Sequence, residues 1–309
     1  MERVTEQLQQ EINKVVLGKE QIVRKVLLAI LAQGHVLLED VPGVGKTTLA
    51  KAFSKTLGLT SRRIQFTPDT MPSDIIGFSV FDKSTGALKY QPGAIMTNLV
   101  LADEINRTSS KTQSALLEAM EEMQVTVDGV PFVVLATQNP VGSAGTQMLP
   151  PSQMDRFLIK LSMGYPDRAS TAALLKDRHH ADPLDVCRTV TDPASLEKSI
   201  GEAMSVFVAD RIYDYIAELV EATRNNAYVT LGVSPRGALA VSRAAKANAY
   251  LEGRDYVTPD DVCAVFPDVC AHRLVLDAKA RLHEYTAEQI ITNLLQTVKK
   301  PDVREFSAK

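Results

Sequence analysis

The stretch from His35 to Thr48, His-Val-Leu-Leu-Glu-Asp-Val-Pro-Gly-Val-Gly-Lys-Thr-Thr, carries residue types that can hold a polyphosphate. Gly43 and Gly45 flank Val44 and let the backbone curl so that, in the loop from Pro42 to Thr48, several N–H groups after the proline close around one anion. A helix opening at Lys46 adds the positive end of its dipole. Lys46 supplies a point charge for the outer phosphates, and the Thr47 hydroxyl can hold a magnesium ion. The spacing departs once from G-x-x-x-x-G-K-[ST], because Asp40 stands where the first glycine belongs. Aspartate tolerates unusual backbone angles better than most residues, and its carboxylate is expected to turn away from the phosphates. The fitting guest is a nucleoside triphosphate. The competing reading is a Gly/Pro turn with a surface lysine.

Two further stretches supply what a phosphate cradle lacks. Asn98-Leu-Val-Leu-Ala-Asp103-Glu104 places adjacent acids at the carboxyl end of an apolar strand, where ligands bind in open α/β sheets. Asp103 can hold the magnesium shell through water, while Glu104 can orient or deprotonate an attacking water. Phe132 to Asn139 is another apolar run ending in a polar residue. Asn139 either helps fix that water or is an ordinary turn asparagine before Pro140. Arg156 either pairs with Asp155 or reaches the nucleotide of a neighbouring subunit, where a guanidinium in trans stabilises transition-state charge. Arg236 is a second candidate for carrying charge to the same phosphates.

The elements that must position these residues follow from the pattern. Apolar residues at helical spacing predict helices over 4–16 and 21–32, the second ending at Gly34. Short apolar runs at 35–39, 62–66, 98–102, 132–137 and 157–163 alternate with helices at 46–57 and 111–122, which predicts a mostly parallel sheet covered on both faces. Two hairpins interrupt it: one around Lys83–Gly86, one turning at Asp128-Gly129. Each is either a contact element or loop decoration. From about Ser195 the chain reads as helical. Helices start at Ser234-Pro235-Arg236 and at Thr258-Pro259-Asp260-Asp261, with caps, first-turn prolines and acids in the expected places. Residues from Pro301 onward are expected to fray. The expected division is a nucleotide-binding α/β core over 1–190 and a helical domain over 191–309.

Composition narrows the partners. The 309 residues carry a formal charge of −3, aromatics make up 6%, and tryptophan is absent. Stacking platforms for single-stranded nucleic acid are therefore scarce, and nucleic acid is not expected as a partner. Cys187, Cys263 and Cys270 lack metal or disulfide spacing, and His179-His180 reads as a solvated helix end. No run approaches the length of a membrane span, and the N-terminal segment is polar. A cytoplasmic location is expected.

In combination these stretches resemble the AAA+ ATPases, and within them the MoxR family. The resemblance runs through residues 34–47, Asp103-Glu-Ile-Asn-Arg-Thr108, residues 111–122, Ala136-Thr-Gln-Asn-Pro140, Asp155-Arg-Phe157, Ser234-Pro-Arg236 and residues 253–262. It implies a P-loop AAA+ core with a five-stranded, mostly parallel sheet and hairpin insertions, followed by an all-helical lid. It implies that Lys46 and Thr47 are the Walker A pair, Asp103 and Glu104 Walker B, Asn139 sensor 1, Arg156 the arginine finger and Arg236 sensor 2. Val16 and Gly18 correspond to the adenine pocket. The cofactors implied are ATP and Mg2+. The partners implied are further copies of the chain in a hexameric ring and a separate protein bearing a von Willebrand factor A domain. The activity implied is a chaperone-like, ATP-hydrolysing remodelling or maturation motor. Two alternatives use the same residues: a slow nucleotide-switched binding scaffold, and a DNA-linked or magnesium-chelatase-like motor subunit.

Overall fold

The computed structural model describes residues 4–40, 43–122, 126–127, 129–139, 148–177 and 183–302. Pro42, the turn residue Asp128, Pro140, the pair His179-His180 and the tail from 303 lie outside the described residues. The chain divides into two compact units. One comprises Met1–Leu27, His35–Leu149 and Leu161–Lys198; the other comprises Leu28–Gly34, Pro150–Lys160 and Ser199–Lys309.

Helix α1 (Val4–Asn13) and helix α2 (Glu20–Leu31) lead into strand β1 (Val36–Glu39) and helix α3 (Lys46–Thr56). There follow β2 (Ser61–Gln65), α4 (Pro72–Ile76), the hairpin β3 (Gly77–Asp82) and β4 (Ala87–Pro92), and β5 (Leu99–Asp103). Helix α5 (Ser110–Glu122), the short hairpin β6 (Thr126–Val127) and β7 (Val130–Pro131), and β8 (Val133–Gln138) come next. Then come α6 (Pro151–Met154), β9 (Ile159–Leu161) and α7 (Arg168–Asp177).

Strands β1, β2, β5, β8 and β9 form one sheet in the order β2-β5-β8-β1-β9. β5 lies parallel to β2 and β8, and β8 parallel to β1. The predicted apolar runs are these five strands. Leu37, Leu38, Val100, Leu101, Val134 and Leu135 are buried, as a sheet covered on both faces requires. The register sets Glu39 beside Gln138 and Gln65 beside Asp103, so the carboxyl ends of neighbouring strands line up. Both predicted hairpins form and stay outside this sheet.

The second unit is helical: α8 (Pro193–Met204, entering from the first unit), α9 (Asp210–Arg224), α10 (Pro235–Leu251), α11 (Pro259–Cys270), α12 (Ala278–Leu282) and α13 (Ala287–Thr297). Its core joins Ile212, Ile216 and Leu219 to Val241, Ala244, Val262, Phe266 and Ile291. The predicted caps are present: Ser234 accepts from the Gly237 N–H, and Thr258 forms a capping box with Asp261. One feature is added to the all-helical expectation. β10 (Val229–Leu231) pairs antiparallel with β11 (Val275–Leu276). Both are too short for an alternating pattern to register in sequence.

Candidate nucleotide site

The loop before α3 takes the backbone angles its glycines permit. Gly43 has φ 86° and Gly45 φ 97°, a region that side chains with a Cβ rarely adopt. Gly45 is the N-cap of α3, and Lys46 is the helix's first residue. Lys46 is buried, and its Nζ donates to the Asp40 carbonyl at 3.0 Å. Burial lowers its pKa, and the negative charges of Asp103, Asp40 and Glu104 oppose that shift. Lys46 is thus a cation in reach of the acids at the strand ends. Thr47 and Thr48 follow in the first turn, half-buried.

The Asp40 carboxylate does turn aside. It accepts from Ser162 Oγ at 2.9 Å and from the Met163 and Gly164 N–H groups at 2.5 and 3.0 Å. A glycine at this position could not hold the chain just after β9 in that way.

Asp103 and Glu104 divide sharply at the end of β5. Asp103 Oδ1 accepts from Thr137 Oγ1 at 2.6 Å, and Oδ2 accepts from Arg63 Nη2 at 2.7 Å. Oδ2 also accepts from Arg63 Nε at 3.2 Å, so Oδ1 is the oxygen with acceptor capacity left for water of a metal shell. Glu104 adopts φ 58°, ψ 48°, left-handed backbone that is uncommon outside glycine. The two carboxylates take different partners. The Glu104 N–H is fixed by Thr137 Oγ1 at 2.9 Å. Its Oε2 accepts from Arg107 Nη1 at 2.8 Å and Gln65 Nε2 at 3.1 Å, and its Oε1 from Asn139 Nδ2 at 3.1 Å. The Arg107 hydrogen bond, aided by Asn139, holds its carboxyl below the usual range, so it is ionised near neutrality.

Asn139 is more than a turn residue. It is buried, its N–H donates to Asn106 Oδ1 at 3.4 Å, and its carbonyl accepts from Asn106 Nδ2 at 3.3 Å. Its own Oδ1 is closed off and lacks a protein partner. That orphaned acceptor, beside a carboxylate, suits an O–H group such as a water proton. The donor set also fits a nucleotide-borne metal rather than a protein-caged one. No cluster of three or more His, Cys, Asp or Glu suited to a metal occurs among the described residues, and magnesium in such sites is held by one or two protein groups plus phosphates.

Val16 lines a small, largely apolar cleft with Val15, Leu17, Lys19, Val44, Gly45, Thr48 and Pro166. Gly18 is not among the lining residues. It has φ 67°, a backbone conformation that favours glycine, and a Cβ there would also lie 2.3 Å from the Ser170 Oγ of α7. Arg156 follows α6, and Arg236 lies in the first turn of α10; both belong to the helical unit, whereas Lys46, Asp103, Glu104 and Asn139 belong to the other.

Sequence reasoning missed Arg63, Gln65, Asn106, Arg107 and Thr137. A signal existed for the first two. Residues 63 and 65 share one face of an edge strand, and a charged or amide pair there must meet something polar.

This is the fold of a P-loop ATPase of the AAA+ class. Residues 35–159 match the ATPase family associated with various cellular activities, and residues 221–294 match an AAA lid domain. Chaperone MoxR1 of Mycobacterium tuberculosis is 39% identical over 308 residues, covering 95% of this chain and 81% of that protein. The uncharacterised protein YeaC of Bacillus subtilis is 48% identical over 298 residues, 94% of this chain and 93% of that one. A crystal structure of a candidate ATPase from Cytophaga hutchinsonii superposes with a TM-score of 0.88 at 36% identity, covering 97% of this chain and 95% of that one. The chain belongs to the MoxR family of AAA+ ATPases and is an ATP hydrolase. No helix among the described residues is long and apolar enough to cross a membrane.

Proposed function

We propose that this chain works as a magnesium-dependent ring motor, a hexamer in the cytoplasm, that remodels or matures a protein partner and hydrolyses ATP where subunits meet. Residues 1–190 form the nucleotide-binding core and 191–309 the lid. The loop from Pro42 to Thr48, with Lys46, binds the triphosphate, and Val16 and Gly18 border the adenine. Thr47 and Asp103 hold magnesium, which when bound neutralises charge on the outer phosphates. Glu104 takes the proton as a water oxygen attacks the γ-phosphorus and ADP leaves. Asn139 orients that water. Arg156 of the neighbouring subunit and Arg236 stabilise the charge that develops.

The observation that carries this reading is the Glu104–Asn139 pair: an ionised carboxylate and an orphaned amide oxygen, joined at 3.1 Å. Support for a protein partner comes from the β3–β4 hairpin. It exposes Leu88 (72%), Phe81 (58%), Phe78 (51%) and Tyr90 (50%), and exposed apolar clusters of this kind mark interaction surfaces. The chaperone named among the relatives is consistent with that use. A separate protein with a von Willebrand factor A domain is the partner this reading expects.

Glu104→Gln tests the base. It should bind ATP normally and lose turnover by about 10²–10⁴-fold; wild-type turnover would reject the assignment. Mixing tests the ring. Glu104→Gln and Arg156→Ala, each inactive alone, should regain hydrolysis together, because one mixed interface pairs an intact base with an intact guanidinium. No recovery, with both variants assembling, would place Arg156 in cis.

A further inference from the structure

Asp155 joins two parts of the helical unit through one carboxylate. Its Oδ2 accepts from Ser234 Oγ at 2.9 Å, and its Oδ1 accepts from Arg273 Nε at 2.7 Å. Ser234 is the N-cap of α10, and its hydroxyl oxygen also accepts from the Gly237 N–H at 3.1 Å. Arg236 lies between these two residues, in the first helical turn.

Arg273 completes the frame. Its guanidinium is buried and donates to the carbonyls of Asp155 at 3.0 Å, Phe157 at 2.6 Å and Leu158 at 3.2 Å, and to that of Val269 in α11. A planar fork of five donors suits several fixed carbonyls at once. The backbone at Arg156 is therefore pinned on both sides. Asp155 before it and Phe157 after it are each tied to Arg273, and the Arg156 N–H donates to the Gln153 carbonyl at 3.2 Å. Phe157 is wholly buried as well. A buried guanidinium cannot release its carboxylate cheaply, because that would leave a desolvated charge unpaired.

We infer that Asp155 is a positioning residue that mounts Arg156 and the first turn of α10, with Arg236, on one frame, so that a displacement of either carries the other. The inference rests on the reading that both arginines serve phosphates. Its consequence is mechanical. Two guanidiniums mounted on one frame cannot respond independently within one subunit. The nucleotide state sensed through Arg236 is passed to the site that Arg156 completes.

The test measures hydrolysis and nucleotide affinity of the full chain in Asp155→Asn, Ser234→Gly, Arg156→Ala, Arg236→Ala and the double variants. Asp155→Asn should lower kcat by about 10–100-fold with Kd for ATP changed less than about threefold. It should add little on an Arg156→Ala background, since both losses act through one guanidinium. Ser234→Gly keeps a tolerated cap but cuts the link. It should lower kcat several-fold in the wild-type background and not in Arg236→Ala, and it answers the question if Asp155→Asn does not fold. A readout independent of activity is the distance between spin labels at Ser152 and Leu239. It should be one narrow distribution, the same with and without ATP, and should broaden in Ser234→Gly. Wild-type kcat in Asp155→Asn or Ser234→Gly, or a label distance that shifts with ATP, overturns the frame while leaving the arginine roles standing. Full activity in Arg156→Ala and Arg236→Ala rejects those roles, and the frame's purpose with them.

Discussion

Asn139 Nδ2 donates to Glu104 Oε1 across 3.1 Å, joining the end of β8 to the end of β5. Because the same amide leaves Oδ1 buried and unpartnered, Asn139 presents an acceptor at a fixed place beside the carboxylate. Asn139→Ala removes both functions without touching the phosphate loop. Turnover should fall by about 10²-fold, with nucleotide affinity changed less than about threefold. Equal loss of kcat and affinity would show instead that Asn139 holds the loop together. Asn139→Asp should be at least as damaging, because a like charge beside Glu104 raises its pKa.

Arg107 donates to the same carboxylate at 2.8 Å. Its hydrogen bond is the largest influence lowering the Glu104 pKa below 4.5; burial and the charge of Asp103 act the other way. In the proposed role of general base Glu104 works only when ionised, so the acid limb of kcat in the wild type should lie below the ordinary glutamate range. Arg107→Ala removes a lowering influence, the pKa rises, and the acid limb should move to higher pH. Stability follows the same sign. A depressed folded pKa contributes stability above the unfolded value, and that contribution disappears as pH falls through the folded value. Arg107→Ala should therefore also flatten the acid loss of stability. Superimposable kcat–pH curves for the two proteins would contradict the role assigned to Arg107.

Asp261 is the lock of the lid. Its carboxylate accepts from Arg254 Nη1 and Nη2 at 2.6 and 2.5 Å, from Asn248 Nδ2 at 2.8 Å and from Thr258 N at 2.7 Å. Burial pushes its pKa up, but these donors more than offset burial and hold it below the usual carboxylate range. The stability this adds is present above the unfolded aspartate pKa and is lost as pH falls through the folded one. Asp261→Ala leaves Arg254 without its carboxylate and should cost about 3–5 kcal/mol. Urea titration of the full chain reads that loss, and a change under about 1 kcal/mol would mean the lid does not depend on this pair.

How much of this was legible in the sequence depends on the range of each interaction. The phosphate loop, the paired acids and the helix caps are local. Gly45-Lys46, Asp103-Glu104 and Thr258 to Asp261 each show their chemistry within a few residues, and the five strands announced themselves as apolar runs. Asp40 was readable too, as a carboxylate turned from the loop, though its partners at Ser162 to Gly164 were not. The remainder depends on contacts made through the fold. Arg63 meets Asp103 only because β2 pairs with β5 in one register. Pairing with Asp155 was one of two readings open for Arg156, and no local signal showed that the Asp155 carboxylate meets Arg273, 118 residues away. The 253–262 stretch carried part of the family resemblance without a role, and the Arg254–Asp261 pair within it is an internal clasp of the lid.

Arg243 supplies the converse of Asp261. It lies seven residues after Arg236 on α10, two helical turns along the same face. Its Nε is closed off without a hydrogen-bond partner among the described residues. Burial lowers its pKa first, and the like charges of Arg273 and Arg236 lower it further. Among the described residues no acidic group opposes that shift, so the folded lid carries a partly desolvated cation among cations. Replacing such a charge by an apolar side chain of similar length relieves both desolvation and repulsion. Arg243→Met should raise lid stability by about 1 kcal/mol, a Tm increase of a few degrees. Arg254→Met, which strips a paired arginine from Asp261, should move Tm the other way. Added pyrophosphate should leave the Tm difference between Arg243→Met and wild type unchanged if no anion occupies this place. A fall in Tm on Arg243→Met would mean that the guanidinium finds a counter-charge in the assembled protein, and repulsion among the arginines of α10 and Arg273 would then not be what limits the stability of the lid.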